Sequence, residues 1–366
     1  MKSKHLHPEQ SFLSFVRYSL RKDQLLPNDC KEIDWLDYYQ FSRRQGIAGL
    51  IFNGLERSGL KIPQEVLFEW VGTMQVIKST NLLVDKRCHQ ISRFWEKQGY
   101  RNCILKGQAN ATMYPRPELR SPGDIDIWVD GETTKLIKIA QRVAPEGHYS
   151  LHHVTIPVFN DTSVEVHYRP VFLDNWWKDK KLQRYIDKAK DAQFGNKITL
   201  GDGKTEVRGL TDEFNAVFLL LHMWHHLLST RNNLKQFIDY YYLLKREFTA
   251  SQREAIACLF EELGVLKYAR GVMWVEHEAL GLERERLLVE PDEAVGRLLL
   301  RETIHYGEKE EKHNKMSFLL EYMTNNAKLF RHFPSSVLIA PIYLIWHQWW
   351  KLKMNYRLKE KHRGTN

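Results

Sequence analysis

The residues best suited to chemistry lie in Arg120-Ser121-Pro122-Gly123-Asp124-Ile125-Asp126-Ile127-Trp128-Val129. Alternate side chains of a strand share a face, so Asp124 and Asp126 point one way while Ile125, Ile127 and Val129 point into a core. Two carboxylates side by side repel unless a cation lies between them, and an oxygen-preferring divalent ion such as Mg²⁺ suits that place. Asp-x-Asp is also what a solvated strand end carries. Val164-Glu165-Val166-His167 follows the same alternation, with both valines inward and Glu165 on the opposite face with His167. Should the two strands lie side by side, three carboxylates converge, enough to hold two divalent ions about 4 Å apart for in-line phosphoryl or nucleotidyl transfer. A third element is Leu105-Lys106-Gly107-Gln108-Ala109, a strand that ends at a glycine and opens a helix. Such a turn presents unpaired backbone N–H groups, and Gly107 brings no Cβ to obstruct an approaching phosphate.

The elements that must position these groups follow from periodicity. Residues 11–98 read as helices: Phe12, Phe15, Val16 and Leu20 are spaced helically, as are Trp35, Tyr38, Tyr39 and Phe41. Asp34 is a start signal for 35–45, Gly46 ends or bends that helix, and Pro63 opens a long one through Trp95 that Gly99 closes. From residue 101 the pattern changes. Strands are expected at 102–105 and 125–129 and a helix at 133–143. The strands Tyr149–Phe159 and Ser163–Tyr168 are joined by a hairpin turn at Asn160-Asp161. From Thr211 the chain is again helical, with segments at 214 onward, 234–245, 252–281, 291–306 and 315–332. The expected architecture is α+β: a helical region over 1–80, a small mixed catalytic sheet unit over 81–208, and a helical domain over 209–366.

ILKG, then R-x-x-GDIDIWV, then VEVH resembles the polymerase-beta-like nucleotidyltransferase superfamily. More closely, the chain resembles the bacterial group known only as uncharacterised nucleotidyltransferases. Asp34-Trp35 with Arg43-Arg44-Gln45-Gly46-Ile47 ahead of the sheet, and Leu219–His226 and Phe237-Ile238-Asp239-Tyr240 after it, extend the likeness over about residues 30–260. The resemblance implies that Asp124 and Asp126 ligate both Mg²⁺ ions. It implies too that Glu165 completes the acceptor-side ion site and helps deprotonate the attacking hydroxyl. Gly107 and the helix beginning at Gln108 would hold the β- and γ-phosphates of an NTP. The superfamily prefers Gly-Ser or Gly-Gly at that turn, so Gly107-Gln108 is a departure that leaves backbone contacts in place of a serine. On charge grounds Lys106 and Arg120 are expected to neutralise the pyrophosphate leaving group. The expected reaction is Mg²⁺-dependent transfer of a nucleoside monophosphate to a hydroxyl. The acceptor would be a small molecule, glycan precursor, peptide or protein. The rival reading is a non-catalytic nucleotide- or partner-binding protein on the same fold.

His222, His225 and His226 share one helix face, suited to nucleotide or acceptor contact, to zinc with Asp239, or to plain packing. With 43% hydrophobic and 12% aromatic residues, disorder is excluded. Four scattered cysteines without a CxxC pair suit a reduced, cytoplasmic protein. The longest apolar run, Val337–Trp346, is interrupted by Pro341 and is too short for a bilayer, which needs roughly 20 residues. Of the net charge of +9, most sits in residues 351–366. Nucleic acid is therefore not favoured as a partner, and no module interleaves basic and aromatic residues for it. Trp346, Trp349 and Trp350 followed by this basic tail suit peripheral membrane contact, or a helix docked on the helical domain.

Overall fold

Helical periodicity gives way to alternation near residue 101, and that is where the sheet begins in the computed structural model, which describes residues 8–229, 232–305 and 328–363. Four helices come first: α1 (Pro8–Leu20), α2 (Trp35–Arg44), α3 (Ala48–Ser58) and α4 (Gln64–Lys97). Asp34 starts α2 as expected, its carboxylate accepting from the N–H groups of Leu36 and Asp37 at 3.0 and 3.2 Å. Helix α4 is the spine of the molecule. Its first half packs Trp70, Met74 and Ile77 among helices, and its second half packs Val84, Cys88, Ile91 and Trp95 against the sheet.

The five strands are β1 (Asn102–Ile104), β2 (Ile125–Val129), β3 (His148–Tyr149), β4 (His153–Ile156) and β5 (Val164–His167), in spatial order β1-β2-β5-β4-β3. Strands β2 and β5 are parallel, and every other pair is antiparallel. The hairpin expected across Asn160-Asp161 forms between β4 and β5. The expected strand over 149–159 is instead broken at 150–152, where the chain doubles back and makes β3 and β4 neighbours. Ile125, Ile127 and Val129 enter the sheet core against Leu136, Ile137 and Ala140 of α6 (Thr133–Val143). The opposite face is covered too, with Trp128 packed on Phe194 and Phe214 at ring distances of 4.6 and 5.9 Å. That burial is why Asp126 is not at a solvated strand end.

Between Gly107 and β2 the chain makes only two short helical turns, α5 (Gln108–Ala111) and a 3-10 turn at Pro117–Leu119. After β5 come α7 (Trp176–Gly195) and a ribbon of β6 (Lys197–Thr199) and β7 (Glu206–Arg208), none of which the periodicity reading had marked. The C-terminal helices are α8 (Asp212–Ser229), α9 (Leu234–Leu244), α10 (Ala250–Glu262), α11 (Leu266–Trp274), α12 (Glu293–Ile304) and α13 (Pro334–Arg363). Most of the helix expected over 315–332 falls outside the described residues.

Side chains from α1–α4 and from α8–α12 share one hydrophobic core, and the sheet has its own. Gln45 links the two ends of the chain in the helical core. Its buried amide donates to the carbonyls of Thr303 and Ile304 at 2.9 and 3.2 Å and accepts from Leu234 N–H at 2.9 Å. Helix α13 touches both units: Val337 near its start packs against the helical core, while Met354 and Leu358 enter the sheet core and Trp350 meets Tyr149 edge-on. All four cysteines are free thiols, three of them buried. No helix among the described residues is long and apolar enough to cross a membrane.

Candidate active site

Strand pairing assembles the site. Parallel register sets Asp126 directly opposite Glu165, and both side chains leave the core face because their neighbours Ile125, Ile127, Val164 and Val166 enter it. Asp126 is fully buried, while Asp124 and Glu165 are half-buried. Asp124 precedes β2 and lies near enough that its charge acts on Lys106, Glu165 and Lys235.

Lys106 leaves the end of β1 beside these carboxylates, with Nζ 3.2 Å from Asp126 Oδ1 and 3.1 Å from His222 Nε2 on α8. Burial opposes its charge, but Asp126, Asp124 and Glu165 together hold the ammonium above its ordinary value. His167 Nε2 lies 3.0 Å from Asp126 Oδ1 and 3.5 Å from Glu165 Oε2. Burial disfavours its charge, yet the bonds to Asp126 and Glu165 raise it to about 9. Glu165 is lowered although burial works against it, through His167 and His153. The four groups thus form one cluster of alternating charge, and Asp126 Oδ2 is left buried without a hydrogen-bond partner.

The turn after Lys106 has the shape expected for approach to the backbone. Gly107 sits at φ 62° and ψ −111°, where an L side chain is strained, and a Cβ there would come within 3.3 Å of the Asp124 carbonyl. The Gln108 side chain is directed away, to Asp85 and the Asn81 carbonyl on α4, so only its backbone remains to serve the turn.

Arg120 requires a correction. Its guanidinium does not face the three carboxylates. It grips Asp239 of α9 through Nε and Nη2 at 2.8 and 2.7 Å. Tyr114 and Asn110 donate to the same carboxylate at 2.6 and 3.3 Å. A bidentate pair this buried leaves Arg120 to anchor the loop before β2 on the helical domain. Nearer the carboxylates is another cation, Lys235, one helical turn before Asp239. A methyl group on Gly123 would lie 3.9 Å from its Nζ, so it stands over the start of the Asp-x-Asp strand. Burial and the nearby Arg120 bring it down to about 8. In sequence Lys235 reads as an ordinary surface lysine; its spacing of four from Asp239 was the available signal.

Helix α8 crosses the site. His222 and His226 face each other at 3.1 Å, and His225 packs on Phe172 and approaches His152 with ring centroids 6.0 Å apart. Burial pushes all three below the ordinary imidazole value, His225 to about 4 and His226 to about 3. The zinc set His222–His225–His226–Asp239 is not assembled, because Asp239 belongs to Arg120.

A mixed sheet presenting paired carboxylates, a strained glycine turn and a helix laid across them is consistent with a nucleotidyltransferase-like fold. Residues 31–281 match the family described as uncharacterised nucleotidyltransferase, and the chain belongs to that family. Among solved structures it is similar to the crystal structure of an antigenic nucleotidyltransferase-like protein from Paracoccidioides brasiliensis. The identity is 13% and the TM-score 0.31, over 58% of this chain and 96% of that one. No curated protein matches.

Proposed function

We propose that the chain transfers a nucleoside monophosphate from an NTP to an acceptor hydroxyl, with Mg²⁺ held by Asp124, Asp126 and Glu165. The observation that carries this is Asp126. A fully buried carboxylate with one oxygen bonded by Lys106 and His167 and the other unpartnered fits a cation ligand, since buried polar atoms otherwise find partners. The donor set is oxygen-rich and hard, as Mg²⁺ requires. When bound, Mg²⁺ would supply charge neutralisation for the triphosphate and polarisation of the reacting oxygens.

The remaining work falls to this chain's own groups. The turn at Gly107 receives phosphate oxygens on backbone N–H groups. Lys106 and Lys235 offset the charge of departing pyrophosphate. Glu165, half-buried on the far side of Asp126 from that turn, accepts the proton of the acceptor hydroxyl. The acceptor must enter over β5 and β4, because β1 and the glycine turn take the nucleotide.

The test is pyrophosphate release from each of the four NTPs with Mg²⁺ across a panel of hydroxyl acceptors. Asp126→Asn should lower the rate by about 10²–10³-fold or more while the fold persists by circular dichroism. Equal turnover by Asp126→Asn would falsify the reading. Tight NTP binding by the wild type without pyrophosphate release would favour the binding-only alternative.

A further inference from the structure

The structure assigns a second metal site to the protein, formed by imidazole nitrogens of His152, His153 and His167, for a borderline divalent ion of the Zn²⁺ class. The three rings each bring a nitrogen to within 4.8 Å of the others'. The fold explains the convergence. His153 and His167 are direct cross-strand partners of β4 and β5 and so share a face. His152 would point to the other face of a continuous strand. The bend at 150–152 instead brings its Nε2 to 2.9 Å from His153 Nδ1. The backbone there is pinned, since the His152 carbonyl accepts from Tyr168 and Arg169 N–H at 3.0 and 3.2 Å.

Two nitrogen ligands at ~2.0–2.1 Å from a tetrahedral ion stand about 3.3 Å apart, so this pair needs to open by only a few tenths of an ångström. Glu165 Oε1 lies 3.7 Å from the other nitrogen of His153, Nε2, beyond hydrogen-bond range. His152 pairs with no carboxylate among the described residues, so a salt link does not account for its place.

Donor chemistry separates this site from the Mg²⁺ site. Asp124, Asp126 and Glu165 offer hard oxygens, whereas three imidazoles select Zn²⁺, Co²⁺, Ni²⁺ or Cu²⁺ over Mg²⁺. The two sites adjoin through His167, whose Nε2 lies 3.0 Å from Asp126 Oδ1 and which gives up a proton to ligate, while the other two imidazoles lie beyond it. With the strands ordered β1-β2-β5-β4, the glycine turn lies on one side of Asp126 and the histidines on the other, along the acceptor's path. Ion binding there does not depend on nucleotidyl transfer, and a chain inactive toward every NTP would leave the inference intact.

The experiment titrates the metal-free full chain with Zn²⁺ by calorimetry in excess Mg²⁺, with Co²⁺ as an optical probe. One tight equivalent is expected, with intense visible Co²⁺ absorption of low coordination number. His152→Ala and His153→Ala should each weaken binding by about 10–100-fold or more. His89→Ala, on the exposed outer side of α4, should not change it. Melting curves report whether each variant folds. Zinc-edge X-ray absorption on the wild type, which needs no variant, should show imidazole scattering. An oxygen-only shell, displacement by Mg²⁺, or the same affinity in the folded His152→Ala/His153→Ala double variant would overturn the inference.

Discussion

Asp126 and Asp239 are both buried carboxylates facing a cation, and they are handled in opposite ways. Asp239 receives Arg120 on both oxygens and adds Tyr114 and Asn110, so its charge is fully compensated inside the protein. Asp126 concentrates Lys106 and His167 on Oδ1 and leaves Oδ2 without a partner. The first arrangement holds two parts of the chain together, and the second leaves one oxygen for the cation proposed above. Degree of compensation, more than burial or charge, separates the joint from the site.

The sharpest way to break this comparison is Arg120→Ala. It strands the Asp239 carboxylate without its guanidinium, and the expected loss is about 3–5 kcal/mol of stability by urea unfolding. Arg120→Lys should recover only part of it, because an ammonium cannot bond both oxygens at once. An unchanged midpoint for Arg120→Ala would mean the joint is no joint.

Next in size is the response to ion. Mg²⁺ at a hundredfold excess over its dissociation constant should stabilise the wild type by about 2.7 kcal/mol, seen as a raised melting temperature. Asp126→Asn should show little of that rise. Equal stabilisation of both proteins would place the ion elsewhere.

The smallest effect concerns a third carboxylate. Glu276 is fully buried in the helical core with neither oxygen hydrogen-bonded, and burial raises its carboxyl well above the ordinary value. A raised acid favours the protonated folded state, so its contribution is complete below the unfolded value near pH ~4.3 and is lost as pH climbs toward the folded one. Glu276→Gln should therefore match the wild type near pH 4 and exceed its stability increasingly toward pH 8. A gap that does not grow with pH would show that Glu276 has a cationic partner in solution.

What could be read from sequence divides along the same line. The strand alternation around Asp124, Asp126 and Glu165 is local, and period two alone sends each carboxylate away from its apolar neighbours. Helix boundaries at Asp34, Pro63 and Gly99 are local as well. The pairing of β2 with β5 stands in the sequence reading only as a condition, because no residue in either strand marks its neighbour. Arg120 was misassigned because Asp239, which claims it, is 119 residues away and leaves no mark near Arg120 in the chain. Lys235 was missed for the same reason. The break at 150–152 escaped because Tyr149–Phe159 alternates well enough for one strand, and nothing short-range shows that the chain turns back.

Gln45 bears on the order in which the molecule can be made. Its amide bonds residues 258 and 259 positions later, and Arg17 and Arg21 in and beside α1 donate to carbonyls of Ala279 and Gly281 about as far along. The sheet's pairings span far shorter separations, from Ile104 with Ile127 to Asp126 with Glu165. At a synthesis rate of ~5–20 residues per second, the sheet unit emerges whole while the first two helices still wait many seconds for the last of their partners. The amino-terminal helices can pack on one another early, through Phe12 with Tyr38 and Phe15 with Trp35, but their bonds to the far helices come last. In a truncated or stalled chain, the part of their surface that awaits the far helices is what a chaperone would have to cover.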